Sequence, residues 1–152
     1  GELADFNACT DLWPILGGKT FHIGACGSAA KVKLVTNLVL GLNRAALAEG
    51  LVFAEAMGIQ PETALEILQS SAAYSKAMDV KGRKMIEADF SVQARLSQHF
   101  KDVRMMLDAA TTAGLELPLT QTHAKLLALA EASGLGQLDN SAIINVYRKS
   151  NT

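Results

Sequence analysis

From Ser28 to Met57 the chain carries no proline and is dominated by Ala, Leu and Val. A run of that length and composition strongly favours a long α-helix, because each residue added closes another backbone hydrogen bond and nothing interrupts the ladder. Gly24 and Gly27 stand just ahead of it and mark a turn. Gly41 and Gly50 lie inside it and read as points of close helix packing rather than breaks. At about 100° per residue, Lys33, Asn37, Arg44 and Glu55 fall within roughly 40° of one another. This is a narrow polar stripe on an apolar rod. The helix is therefore expected to be buried nearly all round and to form the axis of its domain.

Other signals divide the rest of the chain. Residues 1–18 read as a short helix and turn stopped by Gly17 and Gly18, and 19–23 as a short strand. Gly58 suits the position after the long helix, and Pro61 with Glu62 suits the first turn of the next. Further helices are expected to about Gln69, from about 73 to 87, from about 93 to 113, and from 118 to 133. Asp139 or Asn140 is expected to cap a last helix over Ser141–Lys149. The expectation is an all-α bundle around one long central helix.

Composition narrows the function classes. The 152 residues fit one domain, and the net charge of -1 argues against a nucleic-acid surface. Hydrophobic residues make up 49% and charged residues 19%, more apolar than a single small core needs. A large covered face, against another domain or subunit, is therefore expected. Lys33, Asn37, Arg44 and Glu49 interrupt the long helix, so no membrane span is read from it, and no signal peptide is read ahead of it. Cys9 and Cys26 have no CxxC or His partner, and His22, His99 and His123 are scattered in sequence. A metal site is poorly supported, and reduced thiols in a cytoplasmic protein are the expectation.

Lys33 is the residue to which chemistry attaches first. An ammonium on an apolar helix must find a partner or give up its proton, and such groups gather at catalytic sites. The plainer alternative is a snorkelling stem with its head in water, which fits Lys31. Asn37, one turn on, lies on the same face. Its amide can donate to a carboxylate and accept from Lys33, or simply join two helices. Arg44 reads as an ion-pair partner for Glu49, Glu55 or another helix, Met105 and Met106 as core, and Trp13 as interdomain packing.

The spacing Gly24, Gly27, Ala29, Lys33, Thr36, Asn37 resembles the G-x-x-G-x-G-x-x-x-K-x-x-N-N pattern of the beta-hydroxyacid dehydrogenases. That family includes 3-hydroxyisobutyrate dehydrogenase, tartronate semialdehyde reductase and glyoxylate reductase. Ala29 replaces the third Gly and Thr36 the first Asn. The resemblance continues through Ala48-Glu-Gly50-Leu, Met57-Gly58, Phe100-Lys101-Asp102-Val-Arg104, and Asp139-Asn-Ser141-Ala142 with Tyr147.

The resemblance implies a helical domain like the C-terminal domain of 6-phosphogluconate dehydrogenase over residues 27–152. It implies that 1–26 are the helix–strand end of a Rossmann domain whose remainder lies upstream. It implies an NAD- or NADP-dependent oxidoreductase acting on a small hydroxy acid, with NAD or NADP held mainly by that upstream domain. Lys33 would be the catalytic acid–base, Asn37 and Asp102 would bind substrate, and Lys101 would approach the cofactor. Many members carry an aromatic residue eight positions before the Asp, where this chain has Ala94. Partners would be the Rossmann domain and further copies of the chain, as a dimer or tetramer, with no nucleic acid or membrane. The piece alone is expected to be inactive. A helical oligomerisation module that kept this fold without the chemistry is the alternative.

Overall fold

The computed structural model describes residues 1–149. Two compact units emerge, Gly1–Thr36 and a larger one beginning at Asn37.

The first unit holds α1 (Leu3–Ala8), α2 (Trp13–Leu16) and the head of α3 (Ser28–Ala56). Trp13 stacks on Phe6 at 5.1 Å, and its ring N–H donates to the Phe6 carbonyl at 2.9 Å. Trp13 is thus engaged within its own unit. Residues 19–23, expected as a strand, carry no regular structure, and no strand occurs among the described residues. A strand exists only through ladder hydrogen bonds to a neighbour, and this unit offers none.

The second unit contains the rest of α3, then α4 (Pro61–Ser70), α5 (Lys76–Ile86), α6 (Leu96–Thr112) and α7 (Pro118–Ala132). A 3-10 turn (Asn140–Ile143) leads into α8 (Ile144–Lys149). Helix α6 packs on α7 and α4 on α5, while α5, α6, α7 and α8 all meet the 3-10 turn. Leu51, Met85, Leu96, Leu127, Ile143 and Ile144 are fully buried at its centre. Each such side chain contributes about 1.5–3 kcal/mol on leaving water. The stop signals are where expected: Gly58 sits at φ 75° beyond α3, and Asp139 caps the 3-10 turn by accepting from the Ser141 N–H.

Helix α3 departs from expectation in its burial. Its core residues begin at Gly41 and continue through Arg44, Leu47, Ala48 and Leu51. Before that, Val32, Val35, Val39 and Leu40 are exposed. Periodicity reveals an apolar face, but not which stretch of it finds cover. By length and composition α3 is also apolar enough to cross a bilayer, a test that the core helix of a soluble protein passes equally. Gly41 is a point of close approach: a Cβ there would lie 2.6 Å from His99 Nε2. Gly50 is not, since a Cβ there meets nothing within 4 Å.

Candidate functional site

Gly24 and Gly27 take φ of 125° and 91°, the left-handed region that favours glycine, and α3 starts at the next residue, Ser28. Lys33 is exposed, not partly buried as its setting in an apolar run suggested, because the head of α3 is uncovered. Its carbonyl accepts from Thr36 Oγ1 at 3.0 Å. Thr36 thus directs its hydroxyl back into its own helix.

Asn37 is half-buried. Its Nδ2 donates to Asp102 Oδ2 at 3.5 Å across 65 residues of sequence. Gln98, one turn earlier on α6, donates to the other Asp102 oxygen at 3.3 Å. Two of the residues singled out in the sequence, Asn37 and Asp102, therefore meet between α3 and α6. Both hydrogen bonds are long for N–H···O, hence weak, and leave the amide and the carboxylate open to a better partner. Lys101, beside Asp102, is exposed, and its side chain has no ion-pair or hydrogen-bond partner among the described residues. Phe100 instead carries the Arg104 guanidinium over its ring at 4.9 Å. Met106 is core, while Met105 is exposed.

Three other features were not foreseen. His99 and His123, far apart in sequence, face each other through their Nε2 atoms at 3.1 Å in the buried interior. Gly41 leaves the space for this pair. Arg44 is buried beside it and, among the described residues, forms no ion pair, and its Nη2 has no hydrogen-bond partner. Glu55, one of the partners expected for it, instead takes a two-nitrogen hydrogen bond from Arg148, with Nε at 3.2 Å. Burial lowers the Arg44 pKa to about 10, against a smaller opposing pull from Asp139. Burial first, and then the Arg44 charge, hold His99 at about 3 and His123 at about 4, so both imidazoles are neutral near pH 7.

The third is a buried ion pair, Lys81 with Asp139, at 2.8 Å. Burial pushes the Asp139 carboxyl up. The Lys81 ammonium, the Ala94 and Gln93 N–H groups and the Ser141 hydroxyl outweigh this and hold it well below the usual carboxylate range. None of these pairings has a local signature, since each joins residues on different elements.

A cleft of about 300 Å³ between α3, α7 and α8 is lined chiefly by Leu42, Ala46, Leu119, Leu126 and Tyr147, and contains none of the predicted site residues. Among the described residues, no group of three or more His, Cys, Asp or Glu side chains is arranged to hold a metal.

Residues 27–147 match the sequence model of a family described as NAD-binding of NADP-dependent 3-hydroxyisobutyrate dehydrogenase. The chain is 35% identical over 147 residues to 2-(hydroxymethyl)glutarate dehydrogenase of Eubacterium barkeri, covering 96% of itself and 49% of that protein. It is 30% identical over 143 residues to the cytokine-like nuclear factor N-PAC of Aedes aegypti, covering 94% of itself and 26% of that protein. Among solved structures it resembles 3-hydroxyisobutyrate dehydrogenase from Salmonella typhimurium, with a TM-score of 0.89 at 23% identity. That match covers 96% of this chain and 52% of that one. The chain thus spans about half the length of the dehydrogenase relative it matches.

Proposed function

The chain belongs to the 3-hydroxyisobutyrate dehydrogenase family of NAD(P)-dependent hydroxy-acid dehydrogenases, and from that premise we propose that it is the substrate-side half of such an enzyme. The carrying observation is the Asn37–Asp102 contact, which joins two residues that the family pattern assigns to substrate.

In this reading Lys33 holds a proton at the substrate hydroxyl or carbonyl oxygen. Its ammonium offsets the negative charge that grows there. Asn37, one turn further along α3, donates its amide to the substrate carboxylate. Its long bond to Asp102 is one that a carboxylate can displace. Asp102, acceptor-only when ionised, receives a substrate hydroxyl proton in a hydrogen bond and fixes its direction.

The residues here fit a share of a nicotinamide dinucleotide. Lys101 presents an exposed, unpartnered ammonium beside Asp102, suited to an anionic or polar group of the cofactor. The cofactor, when bound, supplies or takes up the hydride. Its main seat is proposed to be a Rossmann domain ending at about residue 26, outside this helical body. The substrate is a small hydroxy acid, interconverted with its aldehyde or ketone. Two or more copies associate through apolar helix faces. The free thiols of Cys9 and Cys26 suit a reducing, cytoplasmic setting.

The N-PAC relative, whose name is not that of a dehydrogenase, favours a second reading: a helical module retained without the chemistry. One assay separates the two. The longer protein carrying this chain, given NAD(H) or NADP(H) and a panel of small hydroxy acids, is expected to turn over at least one of them. The 152-residue chain by itself is expected to turn over none. Absence of turnover in the longer protein across the panel contradicts the enzymatic reading and leaves the module.

A further inference from the structure

Asp139 is wholly buried, and it is saturated with donors. Lys81 Nζ reaches its two oxygens at 2.8 and 2.9 Å. The N–H groups of Gln93 and Ala94 both reach Oδ2 at 3.0 Å. Ser141 gives its N–H at 3.1 Å and its hydroxyl at 2.8 Å to Oδ1. The Gln93 side chain in turn accepts from Lys81 at 3.1 Å.

The backbone continues the same seam. The Asp139 N–H donates to the Phe90 carbonyl at 3.1 Å and the Asn140 N–H to the Ala94 carbonyl at 2.8 Å. The first two amides of α6, Leu96 and Ser97, donate to the carbonyls of Leu138 and Gly136, each at 3.0 Å. Helix α6 has no side-chain N-cap of its own. Its beginning is set by what Asp139 gathers around it.

A buried ion pair is a poor device for stability alone, since desolvating both charges offsets most of their attraction. Its better-attested use is to select one register among several that apolar packing would accept. Here the selected register is that of the segment leading into α6. Two turns into α6 stands Asp102, hydrogen-bonded to Asn37. We propose that Asp139, held by Lys81, is a positioning residue. It fixes the start of α6 and through it the Asp102–Asn37 contact, and so sets how the substrate is oriented. This rests on the reading of Asn37 and Asp102 given above.

Two measurements test it. The first needs no catalysis: ¹⁵N NMR of the 152-residue chain, following the Asn37 side-chain amide. Asp139→Asn is expected to shift that signal while the amides of α4 stay in place. Should Asp139→Asn not fold, Ser141→Ala decides on the same signal, because it removes one hydrogen bond without stranding a charge. An unmoved Asn37 amide in a folded variant overturns the proposal and leaves the functional reading intact. The second is kinetic, in the longer protein. The same variants should lower kcat/KM for the hydroxy acid by roughly 10- to 100-fold, as expected for misplaced orienting groups, with the cofactor KM unchanged. A moved Asn37 amide with unchanged kcat/KM keeps the clamp and overturns the reading of Asn37 and Asp102. A loss that appears equally in the cofactor KM overturns the positioning role in favour of general loosening.

Discussion

Asn37 and the His99–His123 pair show how differently two polar contacts behave in one helical body. The Asn37–Asp102 bond is long and half-exposed, so its net worth is at the low end of about 0.5–1.5 kcal/mol. Asn37→Ala is therefore expected to leave the melting temperature nearly unchanged while weakening substrate binding in the proposed longer enzyme. Calorimetry of the chain tests the first expectation, and KM measured on the proposed longer enzyme tests the second. The histidines are the reverse: buried, neutral and coupled to pH. The folded pKa of each lies below the unfolded value of about 6.5. The unfolded chain therefore binds more protons as pH falls, and stability drops with it. The window opens just below pH 6.5 and closes where the folded pKa values lie, at about 4 for His123 and about 3 for His99. Within it each histidine contributes a slope of up to about 1.4 kcal/mol per pH unit. Arg44 is the charged group acting on the pair, and it keeps its charge throughout that window. Asp139, with its pKa depressed, adds its own loss only at lower pH. His123→Leu should flatten the denaturation profile between pH 6.5 and 4.5. An unchanged slope contradicts the account of the pair.

Helix α3 carries two internal glycines with opposite roles. An Ala at position 41 would place its Cβ against His99 in a filled interior. Overpacking of that kind costs about 1–3 kcal/mol, against about 1 kcal/mol gained in helix propensity. Gly41→Ala should thus be a net loss, whereas Gly50→Ala, which meets nothing, should gain up to about 1 kcal/mol. Urea denaturation of both variants tests the assignment, and equal effects contradict it. The elements themselves were largely legible in the sequence because their signals are local. The proline-free run gave α3, Gly58 and Pro61 its end and the next beginning, and Asp139 the last cap. The site was legible only in part. That Asn37 and Asp102 belong to one site is implied by the family resemblance alone, since nothing in spacing links residues on different helices. The histidine pair, the unpaired Arg44 and the Lys81–Asp139 seam were invisible for the same reason. Lys33 and Arg44 share one polar stripe by helical phase, yet one is exposed and the other buried, because helical phase says nothing about how far along a helix the cover extends.

At the scale of the whole molecule, the chain leaves large apolar side chains uncovered, among them Leu119 at 70%, Phe53 at 66% and Val35 at 60% exposed. That much apolar surface is expected to be covered by a further domain or copy. Light scattering at tens of micromolar should find the chain at twice its 16.1 kDa mass or more, and a clean monomer contradicts self-association. The proposed enzymatic role requires that the head of α3 bring an acid–base lysine to a hydroxy acid. Lys31 and Lys33 are both exposed, two residues apart, and lie on different faces of the helix. The direct test is turnover of the longer protein bearing Lys33→Ala against the same protein bearing Lys31→Ala. A loss of about two to four orders of magnitude is expected for Lys33→Ala, the range of general acid–base catalysis, with nearly full activity for Lys31→Ala. An active Lys33→Ala protein, or equal losses from the two, contradicts that role.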